Sequence, residues 1–218
     1  HDNKLWLSDM HAHSVMTVDA AGKVETVAKF DDRPSGLGFL PDGTPLAVLM
    51  RSRRVVKFGA GGISVHGDFT RIPGTHLGEM VVDGQGRAYV GNREHSAQAS
   101  DKRSPETIEL VMPDGSIQTA ADDLWGPNGS AITADGRTFV VAESRANRIT
   151  AFAIQPDGML TDRRIFAELG LVPDGVCVDA EGAAWVSAVH KGEYWRVREG
   201  GEIVDRVKLS EGKWAVAC

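Results

Sequence analysis

The feature that most constrains this chain is a turn that keeps returning. Five times a turn of the form Asp-x-Gly, or a near variant, leads straight into a short apolar strand. The pairs are "HDNK" before "LWLSD", "PDGT" before "PLAVLM", "GQGR" before "AYVGN", "ADGR" before "TFVVAE" and "AEGA" before "AWVSA". With Asn3, Gly43, Gly86, Gly136 and Gly182 as anchors, the steps are 40, 43, 50 and 46 residues. A repeat of this length, carrying strands and no helical periodicity, predicts the blades of a β-propeller.

Each repeat holds a second hairpin further on. In "SVMTVDAAGKVETVAKF", "RVVKFGAGGISVHGDF", "TIELVMPDGSIQTAADDL", "ITAFAIQPDGMLTDRRIF" and "YWRVREGGEIVDRVKL" a Gly-containing turn separates two runs of alternating apolar and polar residues. Alternation at period two marks strands with one buried face. Ahead of four of the first turns stands one more apolar strand, in "SGLGFL", "LGEMVV", "GSAITA" and "DGVCVD". A blade therefore reads as strands A, B, C and D in a meander.

The chain opens inside the turn before a B strand and closes on "KWAVAC", which reads as an A strand. Residues 1–218 are expected to form a single all-β domain with five strands of each kind, the first blade lacking its inner strand. Two arrangements stay open. One is a five-bladed ring whose last strand pairs into the first blade and removes the open sheet edges; the other is part of a longer propeller.

Composition narrows the partners. At 218 residues and 42% hydrophobic content, the chain can bury a substantial core. No apolar run approaches the roughly 18 residues of a membrane helix, and no signal-like start is present. A net charge of −6 provides no basic stripe for nucleic acid or anionic membranes, which leaves a small molecule as the expected partner. Cys177 and Cys218 fall in apolar A strands of different blades and read as buried, reduced thiols of a cytoplasmic protein. The polar stretch 92–105, "NREHSAQASDKRSP", breaks the rhythm and reads as a lid or as a solvated excursion.

In a propeller the A strands are innermost, so a polar residue at the start of one faces the mouth of the central channel. Eight residues before each anchoring Gly stand Ser35, Gly78, Asn128 and Asp174. Asn128 and Asp174 each lie between a Pro and a Gly, a triplet that is first of all a turn. Their equivalent places in two blades add a second reading, in which two side-chain oxygens converge to hold a hard cation such as Ca²⁺.

Together "LWLSDMHAHSVMTVD", "PSGLGFLPDG", "MVVDGQGRAYVGN", "GPNGSAITADGRTFVVAES", "PDGVCVDAEGAAWVS" and "WAVAC" resemble the gluconolactonase, senescence-marker-protein and regucalcin group of lactonases along the whole chain. The resemblance implies a six-bladed propeller, of which about five blades are encoded here, with one central divalent metal. It also implies a small sugar-type lactone as substrate, opened by attack of water. It places a metal ligand on Asn128, and a metal ligand that is also the general base on Asp174. The metal expected is Ca²⁺, with Zn²⁺, Mg²⁺ and Mn²⁺ as alternatives.

Two departures accompany the likeness. The family's metal-ligating Glu, in a Glu-Gly-Pro strand, would lie before His1. Where the family often carries Asn-Asp, this chain has Gly78-Glu79, and only Glu79 keeps an acid. The resemblance also puts His11 and His13 at the edge of the pocket, in contact with substrate hydroxyls, and His76 where a basic residue touches substrate. By spacing alone, His11 and His13 could instead serve a transition metal. Asn92, Glu143 and His190 stand at or just past the ends of B strands and are expected on the same rim. Trp6, Trp185, Trp195 and Trp214 read as packing between blades, and Trp125 as a pocket wall. The expected function is metal-dependent lactone hydrolysis, with Asp174 taking a proton from water. The alternative is a non-catalytic propeller that only binds a partner.

Overall fold

The computed structural model describes residues 1–93 and 105–218, so most of the 92–105 stretch lies outside the described residues. Among those described, the chain is almost entirely strand and turn. The exception is one 3-10 turn at Val189–Lys191.

The strands follow the expected meanders closely. The first sheet holds β1 (Leu5–Asp9), β2 (Ser14–Val18) and β3 (Val24–Lys29), the B, C and D strands of a blade. The second runs β4 (Pro34–Phe39), β5 (Pro45–Leu49), β6 (Arg54–Gly59) and β7 (Gly62–Asp68). The third contains β8 (His76–Val82), β9 (Ala88–Arg93), β10 (Glu106–Val111) and β11 (Ile117–Leu124). The fourth contains β12 (Pro127–Ile132), β13 (Thr138–Glu143), β14 (Arg148–Ile154) and β15 (Leu160–Glu168). The fifth contains β16 (Pro173–Val178), β17 (Ala184–Ala188), β18 (Glu193–Val197) and β19 (Ile203–Lys208). Every sheet is ordered along the chain, which is the pattern of a propeller blade. The chain divides into two compact units: one carries β1–β9, the other β12–β19, and β10 and β11 are shared out between them.

The recurring turn works through its acid. Asp42 Oδ1 accepts the Thr44 N–H and Asp135 Oδ1 the Arg137 N–H. Asp83 and Asp179 sit two residues further from the Gly, and each takes two backbone N–H groups. This side-chain mimicry of a backbone turn fixes the tight A-to-B connection. Gly136 and Gly182 complete it at φ values of 70° and 79°, which a residue with a Cβ reaches only under strain.

Burial grades across each sheet. In the first unit Leu46, Val48, Val55, Leu77, Val90 and Val111 are wholly enclosed, with Phe69 among them. In the second unit Val140, Ile149, Val186 and Val197 form the corresponding core around Trp195. Each such aliphatic side chain contributes roughly 1.5–3 kcal/mol by leaving water. The last strands face outward: β3, β15 and β19 are mostly exposed and carry charges such as Glu25, Arg163, Arg164 and Arg206, which discourage pairing with another edge.

Three expectations are corrected. Cys177 and Cys218 are not both buried, since Cys177 is half-buried and Cys218 exposed. Trp214 is 68% exposed and packs between no sheets. The terminal "KWAVAC" is not a strand: it meets β16 through one backbone bond, Gly175 N to Val216 O at 2.8 Å, where a strand needs a ladder.

Candidate active site

The four inner strands β4, β8, β12 and β16 share an irregularity. Between Pro127↔Glu143 and Ser130↔Val141, β12 advances three residues while β13 advances two. The same extra residue occurs between Pro173 and Val176, between Pro34 and Leu37, and between Leu77 and Met80. Each β-bulge turns its residues out of the normal in-and-out alternation. The bulges contain Ser35, Gly78 and Glu79, Asn128, and Asp174, the positions that the repeat had marked.

In the second unit this brings Asn128 and Asp174 into contact, with the Asn128 side-chain amide donating to Asp174 Oδ1. Asn128 also donates to Ser144 Oγ at 3.1 Å, and the Ser144 hydroxyl donates to the Pro173 carbonyl at 2.7 Å. Ser144 thus ties the two bulges together. Glycines set the spacing: a Cβ on Gly129 would lie 2.4 Å from the Asp174 carbonyl oxygen, so only Gly lets β12 approach β16 this closely. Both Asn128 and Asp174 stay partly open to solvent.

The segment leading into Asn128 is held by buried acids. Glu143 Oε2 accepts the Trp125 N–H at 2.8 Å and Glu106 Oε2 the Gly126 N–H at 3.0 Å. Glu106 is paired with Arg145 at 2.7 Å. Glu143 also receives Arg148 at 2.9 Å, Arg163 at 3.3 Å and the Thr150 hydroxyl. Burial by itself pushes the Glu143 carboxyl up. The hydrogen bonds from Arg148, Thr150 and Trp125 outweigh it and leave the group below its usual range.

Glu143 therefore differs from the rim residue expected. Its side chain has no exposed surface, and its oxygens are taken by the Trp125 N–H, Arg148, Arg163 and Thr150. It supports Asn128 from behind. His190 stays exposed in the 3-10 turn, with its ring edge against Trp214 at 6.2 Å between centroids.

In the first unit, Asn92 is likewise inward, 5% exposed. It takes Arg53 at 3.1 Å on its oxygen and donates to the Pro73 carbonyl at 2.8 Å. This buried network, with Glu109 alongside, fastens a loop and leaves Asn92 no open face for a ligand. Ser35 is buried too, and its hydroxyl donates to the Gly78 carbonyl at 2.7 Å as a strap between β4 and β8. His76 opens β8 with Nδ1 3.3 Å from Thr75 Oγ1, and Glu79 sits half-buried in the β8 bulge. His11 is exposed in the β1–β2 turn, which Asp9 closes by accepting the His11 and Ala12 N–H groups. His13, at φ 53°, is half-buried there.

Ser144 is the residue that pattern reading missed. Ser144 follows β13 and its N–H bonds the Gly126 carbonyl at 3.0 Å, so it meets Asn128 only through its side chain, a pairing with no local signal in the sequence.

A model of the SMP-30/gluconolactonase/LRE-like region matches residues 1–218. The chain belongs to this family. Regucalcin of Oryctolagus cuniculus is 29% identical over 143 residues, covering 63% of this chain and 48% of the relative. The chain thus spans about half the length of that relative, and regucalcin of Danio rerio is matched over 50% of its length. Among solved structures, a gluconolactonase of Xanthomonas campestris superposes with a TM-score of 0.81 at 24% identity, covering 99% of this chain and 74% of that one. A calcium-binding regucalcin of Agrobacterium tumefaciens gives 0.83 at 18%, covering 99% and 73%. At these identities the structures establish the all-β propeller fold.

Family membership raises the question of a central metal. The Asn128 amide nitrogen faces the Asp174 carboxylate and the Ser144 hydroxyl, and these two oxygens are of the kind that suits a hard cation. Among the described residues, no three His, Cys, Asp or Glu side chains gather to hold one. Turning the Asn128 amide about its last bond would present oxygen where nitrogen now faces Asp174.

Proposed function

We propose that this protein hydrolyses small sugar-type lactones, with Asp174 as general base and Asn128 as the residue that sets its position. The observation that carries the reading is the contact of Asn128 with Asp174 across adjacent bulges, in a chain of the gluconolactonase family. Asp174 takes a proton from a water molecule, which then attacks the ester carbonyl carbon. The carbonyl oxygen becomes an oxyanion, the ring C–O bond breaks, and the acid product leaves with its ring oxygen protonated. Ser144 holds Asn128, and the Glu143 and Glu106 carboxylates hold the backbone that carries it.

A divalent cation bound by Asn128 and Asp174, with Ca²⁺ the first choice, would supply polarisation of the lactone carbonyl. One carboxylate and one amide are few ligands for Ca²⁺, which takes about 6–8 oxygens, so its affinity is expected toward the weak end of the calcium range. In the second unit His190 remains a candidate for contact with the sugar hydroxyls.

The test is a pH-indicator assay on gluconolactone and a panel of aldonolactones, with and without EDTA, corrected for spontaneous opening. Turnover that EDTA removes and Ca²⁺ restores is the expected result. A protein that never exceeds the uncatalysed rate, with or without added cation, would favour a binding propeller instead.

A further inference from the structure

Two cysteines separated by 41 residues in sequence are neighbours in the second unit. Cys177 lies in β16 opposite Trp185 of β17. The Cys218 thiol reaches the same place, donating to the Trp185 carbonyl at 3.4 Å, close enough for the two sulfurs to interact. The segment that brings Cys218 there is itself anchored. Gly175 N bonds to Val216 O at 2.8 Å, the Ser187 hydroxyl to the same carbonyl at 3.2 Å, and the Tyr194 hydroxyl to the Ala217 carbonyl at 2.8 Å. A Cβ on Gly175 would lie 3.0 Å from Cys218 N, so the two stretches touch. Cys177 is half-buried and Cys218 exposed, which leaves the pair open to a small reagent.

We propose that Cys177 and Cys218 are a redox-responsive dithiol, a modification site at which small-molecule disulfides oxidise the pair and fasten residues 214–218 to β16. The proposal stands apart from the lactonase reading. Cys177 is the attacking sulfur: the Cys218 thiol beside it brings its thiol down to about 7, against the opposing effect of burial, while the same neighbour holds Cys218 above the ordinary thiol range. The Cys177 thiolate attacks one sulfur of the oxidant, its S–S bond breaks, and the first small thiolate leaves. Cys218 then gives up its proton and attacks Cys177 Sγ in the mixed disulfide, expelling the second small thiolate. The protein loses two electrons and two protons, and the oxidant becomes two thiols.

The experiment incubates the whole chain with oxidised glutathione, then counts free thiols by alkylation under denaturing conditions and measures intact mass. Expected is a fall from two labelled cysteines to none, a mass lower by two hydrogens, a monomer on a non-reducing gel and a higher Tm than the reduced form, all reversed by dithiothreitol. Cys218→Ser should trap one glutathione on Cys177, and Cys177→Ser should react much more slowly. Persistence of two free thiols, stable glutathione adducts on the wild-type chain or disulfide-linked dimers would overturn the proposal. So would an unchanged Tm, or equal trapping by both variants.

Discussion

Asn128 hands its side-chain amide to the carboxylate of Asp174 from one β-bulge to the next. Asn128 is in turn fixed through the Ser144 hydroxyl. Each part of this arrangement can be perturbed separately.

Asp174→Asn keeps shape and hydrogen-bonding reach but removes the proton acceptor. Lactone turnover should fall by about 10²–10⁴-fold. The thermal melt without added cation should barely move, because Asp174 is partly solvated and sits outside the apolar cores. A variant that kept most of the wild-type rate would remove Asp174 from the role of base.

Ser144→Ala cuts the link that holds Asn128 to the Pro173 carbonyl. Residues supporting a site's direct contacts typically matter by about 10–100-fold, and the loss should fall on kcat with KM little changed. Ser144→Thr keeps a hydroxyl at the same place and should restore most of the rate. Equal losses for Ala and Thr would speak against a positioning role.

Glu143 should govern acid stability. Its carboxyl is held below the usual 4.5, so the stability it contributes is complete above that pH and is lost as pH falls through the lower folded value. Glu143→Gln should cost about 1–3 kcal/mol at neutral pH, since Arg148 and Arg163 lose their charged partner. It should also flatten the decline of stability below pH 4.5 that the wild type shows. Urea titrations at neutral and acid pH measure both, and parallel pH profiles for the two proteins would contradict this account.

Gly129→Ala would force a Cβ against the Asp174 carbonyl, and backbone atoms there have nowhere to go. A loss of about 1–3 kcal/mol, together with a fall in turnover from the displaced Asp174, is expected. Gly61→Ala meets nothing within 4 Å and has no left-handed φ to strain, so it is the matched control and should leave both properties unchanged.

Strand positions were largely legible in the sequence because turn chemistry and alternation are local: β1, β13 and β17 begin and end where "LWLSD", "TFVVAE" and "AWVSA" suggested. The repeat also singled out Asn128 and Asp174. What it could not convey was direction at strand ends. Asn92 and Glu143 stand at the ends of their B strands just as an exposed rim residue would, yet both turn inward, because arginines from elsewhere in the chain reach them. Such pairings, at separations such as Arg53 to Asn92 or Arg163 to Glu143, have no local signature. The closeness of Cys177 and Cys218 was hidden for the same reason.

The bulge repeated in four inner strands separates what the framework requires from what the surface offers. Because the extra residue stands outside the alternation, its identity is free of the apolar pattern on either side, as Ser35, Gly78, Asn128 and Asp174 demonstrate by differing at the same place in the bulge. A scaffold of this kind carries interchangeable sockets. New chemistry can be installed by exchanging the socket residues alone, while the ladders, turns and cores that hold them stay as they are.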